Sequence, residues 1–140
     1  MSAHFSFEVD RPRNLVRIVM AGLFREDDVA AFLSARTEAH AKLYCGPNQH
    51  VTLNDVRDLK IQPQETVAAF REMLADPAYR SRRLAFVTAS TLAAGQLMRA
   101  LDGRPGQRFD DPEAALTWLL EPDEIETAPP ARRIGRFGQI

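Results

Sequence analysis

Positions 54 to 58 read NDVRD, placing an amide, two carboxylates and an arginine within one short stretch. Arg57 has the fork geometry that clamps a carboxylate or phosphate. A hydroxyl at Ser90 or Thr91, at the start of a later helix, would add backbone N–H groups and the positive end of a helix dipole. Asn54, Asp55, Arg57, Asp58, Ser90 and Thr91 thus form a candidate anion site. The plainer reading is favoured: Asp55 and Asp58 accept backbone N–H bonds and pair with Arg57, while Ser90 or Thr91 caps its helix.

Other reactive residues point less far. Arg36 and His40 are four apart on one helical face. They could act as a binding pair, but the favoured reading sets them at the rim of the core, with packed stems and tips in water. Cys45 and His50 lie close in sequence, but a nucleophile needs a held base and a third group to orient it. His4, His40 and His50 lack metal-ligand spacing, so no metal or cofactor is expected. Arg80, Arg82 and Arg83 precede an apolar run, and Arg132, Arg133 and Arg136 lie near the end. Both clusters read as solvated surface, the first with a second use as a patch for an acidic partner or a lipid headgroup. Trp118 shares a helical face with Ala115 and Leu119 and is assigned to the core.

Composition removes whole classes. The 140 residues suit one domain, 45% of them hydrophobic and 26% charged. No apolar run approaches the ~20 residues needed to span a bilayer, and the opening MSAHFSFEVDRPRN is not the pattern of a secretory signal. A single cysteine suits a reducing compartment, so a cytoplasmic location is expected. A net charge of −1 provides no field to attract nucleic acid.

The elements that must position these residues can be read from period and punctuation. His4–Val9 alternates Phe5, Phe7 and Val9 against polar residues, and Leu15–Ala21 follows the DRPRN turn, giving a strand hairpin. A helix is expected from Glu26 to about Tyr44 through Val29, Phe32, Leu33 and Leu43, with acidic residues at its start. A third strand spans His50–Val56, followed by a helix with Pro63 in its first turn and Val67, Phe70 and Leu74 as its stripe. The continuous run Leu84–Thr88 predicts a parallel strand covered on both faces. A helix through Ala93, Leu97, Ala100 and Leu101, a short strand Gln107–Phe109 and a helix opened by Asp110 or Asp111 and Pro112 complete the order. Residues 121–140 carry paired prolines and mixed charges and read as a tail, flexible or docked by Ile134 and Phe137. The order predicts a mixed sheet, mainly parallel with an N-terminal antiparallel hairpin, flanked by about four helices.

The hairpin FSFEVDRPRNLVRIVMAG, the stretch VTLNDVRDL, the strand RRLAFVT and the closing RFDDPEAALTWL together resemble the STAS domain superfamily, in its SpoIIAA-like branch of small bacterial proteins. The resemblance covers roughly residues 4–120. It implies an α/β STAS-like fold over residues 1–120 and a non-enzymatic, regulatory role through contact with another protein. In the antagonists of that family a serine after the third strand is phosphorylated, whereas this chain has LKIQPQE there and no serine between Ser34 and Ser81. Thr66 is the nearest hydroxyl, but beside Glu65 it is not expected to be phosphorylated. The alternative function is binding of a small anionic or lipid-like ligand at the loops after the third and fourth strands, with or without catalysis. A homodimer through the hairpin edge or an exposed helix face is a further expectation.

Overall fold

A computed structural model of the chain describes residues 2–89, 92–101 and 103–122. Five strands form one sheet in the order β1-β2-β3-β4-β5. They are β1 (His4–Asp10), β2 (Leu15–Gly22), β3 (Val51–Leu59), β4 (Arg83–Val87) and β5 (Gln107–Phe109). The β1–β2 pair is antiparallel and the three other pairs are parallel. The turn of the hairpin uses Asn14 at φ 51, a left-handed position that asparagine tolerates better than most residues.

Helices α1 (Glu26–His40), α2 (Gln64–Ala75) and α3 (Leu92–Ala100) follow β2, β3 and β4, and α4 (Pro112–Leu119) follows β5. Phe32 of α1, Phe70 of α2 and Leu97 of α3 bury against Val16, Ile18, Met20, Val56 and Phe86 on one side of the sheet. On the other side Ala115 and Leu119 of α4 cover Leu15, Val51, Leu53, Ala85 and Val87. Both faces of β4 are therefore enclosed, as its unbroken apolar run requires. Among the described residues no helix covers the outer face of β1 and the adjoining part of β2, where Ser6, Glu8 and Val19 are exposed.

Asp111 caps α4 by accepting from the backbone N–H groups of Glu113 and Ala114, and Pro112 occupies the first turn. Three boundaries differ from expectation. Helix α1 stops at His40, because the next turns close on shorter bonds, Lys42 N to Ala39 O and Leu43 N to His40 O, while Leu43 packs on the core from outside the helix. Pro63 precedes α2 as its extended cap residue, with φ −61, instead of opening it. Strand β3 continues through Leu59 and absorbs the stretch expected to be a loop.

That extension depends on a bulge. Val19 pairs with Asp55 but Ala21 pairs with Asp58, so Met20 faces two residues of β3, Val56 and Arg57. Parity reverses there: Thr52, Asn54 and Val56 are buried, Arg57 and Asp58 both point outward, and Leu59 is buried again at 5% exposure. At the end of β2, Gly22 has φ +83, and a Cβ built there would lie 2.1 Å from Ser2 O. Only glycine fits that crossing.

Candidate functional site

Strand parity selects the site. His50, Thr52 and Asn54 alternate with Val51 and Leu53, and each of the three is at most 5% exposed. Asn54 stands in register between Ile18 of β2 and Phe86 of β4, a polar amide flanked by apolar side chains. Its Oδ1 is buried with no hydrogen-bond partner.

Thr52 and Asn54 line a cavity of about 560 Å³, within the size range of small-ligand sites. Its walls come from Phe32, Arg36 and His40 of α1, from Met73 and Tyr79 at and beyond the end of α2, and from Leu101 and Arg104 after α3. It reaches Arg83 and Trp118 at the amino end of β4. Among the described residues five arginines line it, at 36, 80, 82, 83 and 104, against one acidic residue, Asp76.

Arg36 is built into the wall. Its Nη1 donates to Met73 O at 3.1 Å, its Nη2 lies 3.5 Å from Asp76, and its guanidinium sits 4.0 Å from the centre of the Tyr79 ring. Only 11% of the side chain is exposed, and Nε is buried without a partner. Burial lowers the Arg36 pKa, opposed by Asp76 and Tyr79. One turn on, His40 places Nδ1 2.8 Å from Arg36 O and meets the rings of Tyr79 and His50 edge to face. Burial holds the His40 pKa below its ordinary value, with the Arg36 carbonyl bond acting against it.

His50 is pushed down to about 4, first by burial and then by the charge His40 would carry. Ser81 Oγ lies 3.2 Å from His50 Nε2 and 2.6 Å from Thr52 Oγ1. With His50 neutral and accepting at Nε2, the Ser81 hydroxyl donates to it and the Thr52 hydroxyl donates to Ser81. The pair is a poor nucleophile and base. The one carboxylate among the described lining residues, Asp76, is engaged by Arg36, and a base with a pKa near 4 drives little proton transfer at neutral pH. What the wall presents to a ligand is hydroxyl, amide and guanidinium groups set in an apolar surface.

The expected anion site divides across the sheet. Asn54 enters the cavity, whereas Asp55 and Arg57 lie on the opposite face, joined by Arg57 Nη2–Asp55 Oδ2 at 2.7 Å and Nε–Oδ1 at 3.0 Å. Burial acts to raise the Asp55 pKa, but the bonds from Arg57 and the charges of Arg57 and Arg17 outweigh it and hold the carboxyl low. Asp58 is exposed beyond the bulge. These four residues therefore belong to a strand and do not converge as a loop. Ser90 and Thr91 lie outside the described residues, as does the tail from residue 123. Thr66 is buried, and its hydroxyl donates to Phe24 O at 3.0 Å. Arg36 and His40 form a wall of the cavity where a solvated rim was expected. Cys45 is half-buried after α1, and no group of three or more metal-ligating side chains occurs among the described residues. Sequence reasoning passed over Thr52, Tyr79 and Ser81.

No protein-family model matches the chain, and no curated protein shows significant similarity to it. A match comes from solved structures. The crystal structure of an uncharacterised protein from the DUF3478 family of Shewanella loihica PV-4, described as having a SpoIIAA-like fold, superposes with a TM-score of 0.65. The match covers 85% of this chain and 96% of that one at 15% identity. The fold is therefore SpoIIAA-like, an α/β architecture with a mixed five-stranded sheet and four α-helices among the described residues. Among the described residues no helix is long and apolar enough to cross a membrane.

Proposed function

We propose that the protein is a non-enzymatic binder of a small amphiphilic anion, held in the cavity between the sheet and helices α1 to α3. The observation that carries this reading is the lining itself: among the described residues five arginines against one acid, around Ile18, Phe32, Leu84 and Leu101. A carboxylate or phosphate head would meet guanidinium donors, which favour oxyanions, and an acyl or aryl body would cover the apolar wall.

The chain has one tryptophan, and Trp118 lines the cavity, so its fluorescence is a direct reporter. Titration with decanoate should give a saturable change. Arg36→Gln should weaken it by about tenfold or more, the scale of one hydrogen bond to a charged group, with the circular dichroism spectrum retained. No saturable response to decanoate or to decyl phosphate overturns the proposal.

A second reading, a regulatory role through contact with another protein or a second copy, is supported by the uncovered sheet face. Val19 is 39% exposed there, beside Ser6, Asp55 and Arg57, and among the described residues β1 pairs with a neighbour on one side only. An open edge of seven residues suits strand addition. A monomer mass at micromolar concentration removes the second copy, and an unchanged partner set after Val19→Arg removes the face. A cytoplasmic location belongs with either reading.

A further inference from the structure

Helix α4 delivers the chain to the cavity. Arg83, in the cavity wall, donates from Nη1 to Trp118 O at 2.6 Å and from Nη2 to Pro122 O at 3.5 Å. The same guanidinium lies 3.6 Å from the Glu121 carboxylate and 5.0 Å from the centre of the Trp118 ring. Arg82 donates to Leu119 O at 3.5 Å. Glu121 and Pro122, the last two described residues, thus both touch a side chain of the cavity wall. The sequence continues as Asp123, Glu124, Ile125 and Glu126, three carboxylates around one apolar side chain.

We propose that this acidic segment, residues 123–126, is an intramolecular occupant of the arginine-lined cavity, and that an anionic ligand binds by displacing it. Charge favours it: Arg80 and Arg82 are exposed and Arg104 is half-buried, so guanidinium groups on the wall are within reach of carboxylates. Length favours it too. Four extended residues span at most about 14 Å, and the cavity crosses three strand spacings from Ile18 on β2 to Gln107 on β5, also about 14 Å. The segment that starts at Arg83 can therefore cover this width without the more distant arginines at 132, 133 and 136. Ile125 has apolar ground to meet, because the wall includes Leu84 and Leu101. A single exposed carboxylate on an arginine is held weakly. The tether compensates, since it presents the segment at an effective concentration of about millimolar, against which a free ligand must compete.

This inference rests on the anion-binding reading above, and the test separates the two. Trp118 fluorescence is titrated with decanoate on three proteins that each keep all 140 residues. They are the unmodified chain, a variant with Asp123→Asn, Glu124→Gln and Glu126→Gln, and a control with Asp27→Asn, Glu65→Gln and Glu72→Gln, which neutralises three exposed acids on α1 and α2. The segment variant should bind decanoate about tenfold tighter than the unmodified chain, the ratio for a site nine-tenths occupied by its own segment. The control should bind as the unmodified chain does. In the unmodified chain, saturating decanoate should also speed backbone hydrogen exchange at residues 123–128. Equal affinity of the segment variant and the unmodified chain overturns the inference and leaves the anion-binding reading standing. Equal tightening in the control also overturns it, by assigning the effect to net charge. Absence of a saturable response in all three proteins overturns both.

Discussion

The imidazole of His50 meets that of His40 edge to face, with ring centroids 4.9 Å apart, in a wall that also holds Arg36 and Tyr79. Neither ring gains a counter-charge from the other, and protonating one raises the cost of protonating its neighbour.

Acid should therefore destabilise the protein through His50. Its pKa is lowered to about 4 in the folded chain from an ordinary value of 6.5. Above 6.5 it is neutral in both states and neutral to stability. Between 6.5 and about 4 the unfolded chain binds a proton that the folded chain refuses, so stability falls as pH falls, by about 3 kcal/mol in total. Urea midpoints measured at pH 7, 6, 5 and 4 for the unmodified protein and His50→Gln give the check. The variant should lose much of the slope, and parallel curves would count against it.

Gln62 is the clamp that fixes the chain at the start of α2. Its Oε1 accepts from Phe24 N at 2.8 Å, and its Nε2 donates to Gly22 O at 2.9 Å and Lys60 O at 2.6 Å. Its backbone exchanges two further bonds with the Gln96 side chain, at 2.8 and 2.9 Å. Gln62→Leu strips the side-chain bonds at a site 5% exposed and should cost about 2–3 kcal/mol in urea unfolding. A loss under about 0.5 kcal/mol would mean that solvent replaces those bonds.

The Asp55–Arg57 pair should behave oppositely. The Arg57 side chain is 45% exposed, and exposed pairs contribute about 1 kcal/mol or less. Arg57→Ala should move stability within that margin and leave the Trp118 titration with decanoate unchanged, because the pair faces away from the cavity. A weakened titration would place this pair in the ligand site after all.

Much of the architecture was written in local pattern. The alternation Phe5, Phe7, Val9 and the run LAFVT reach the structure as β1 and β4, and Asp111 with Pro112 opens α4 where their chemistry requires. Long-range effects were less visible. The end of α1 moved because Leu43 satisfies the core from a turn, which periodicity cannot distinguish from one more helical turn. Arg57 and Asp58 fall beyond the expected strand end at Val56 because their charges break the alternation, and the bulge that keeps them in the strand is set by pairing with Met20. The cavity left one local trace. In a parallel strand covered on both faces, the polar series His50, Thr52 and Asn54 on one face had to be an interior lined by hydrogen-bonding groups.

The surplus residue at Val56 and Arg57 acts as a phase shifter. Upstream, even-numbered positions of β3 face the helices and deliver Thr52 and Asn54 to the cavity; downstream, the odd-numbered Leu59 does so and anchors the approach to Gln62. One strand thus supplies a recognition surface and a structural anchor whose numbering is out of step by one. The bulge is therefore what holds Leu59 inward: with the same residues paired in plain register, Leu59 and the approach to Gln62 would face away from the helices.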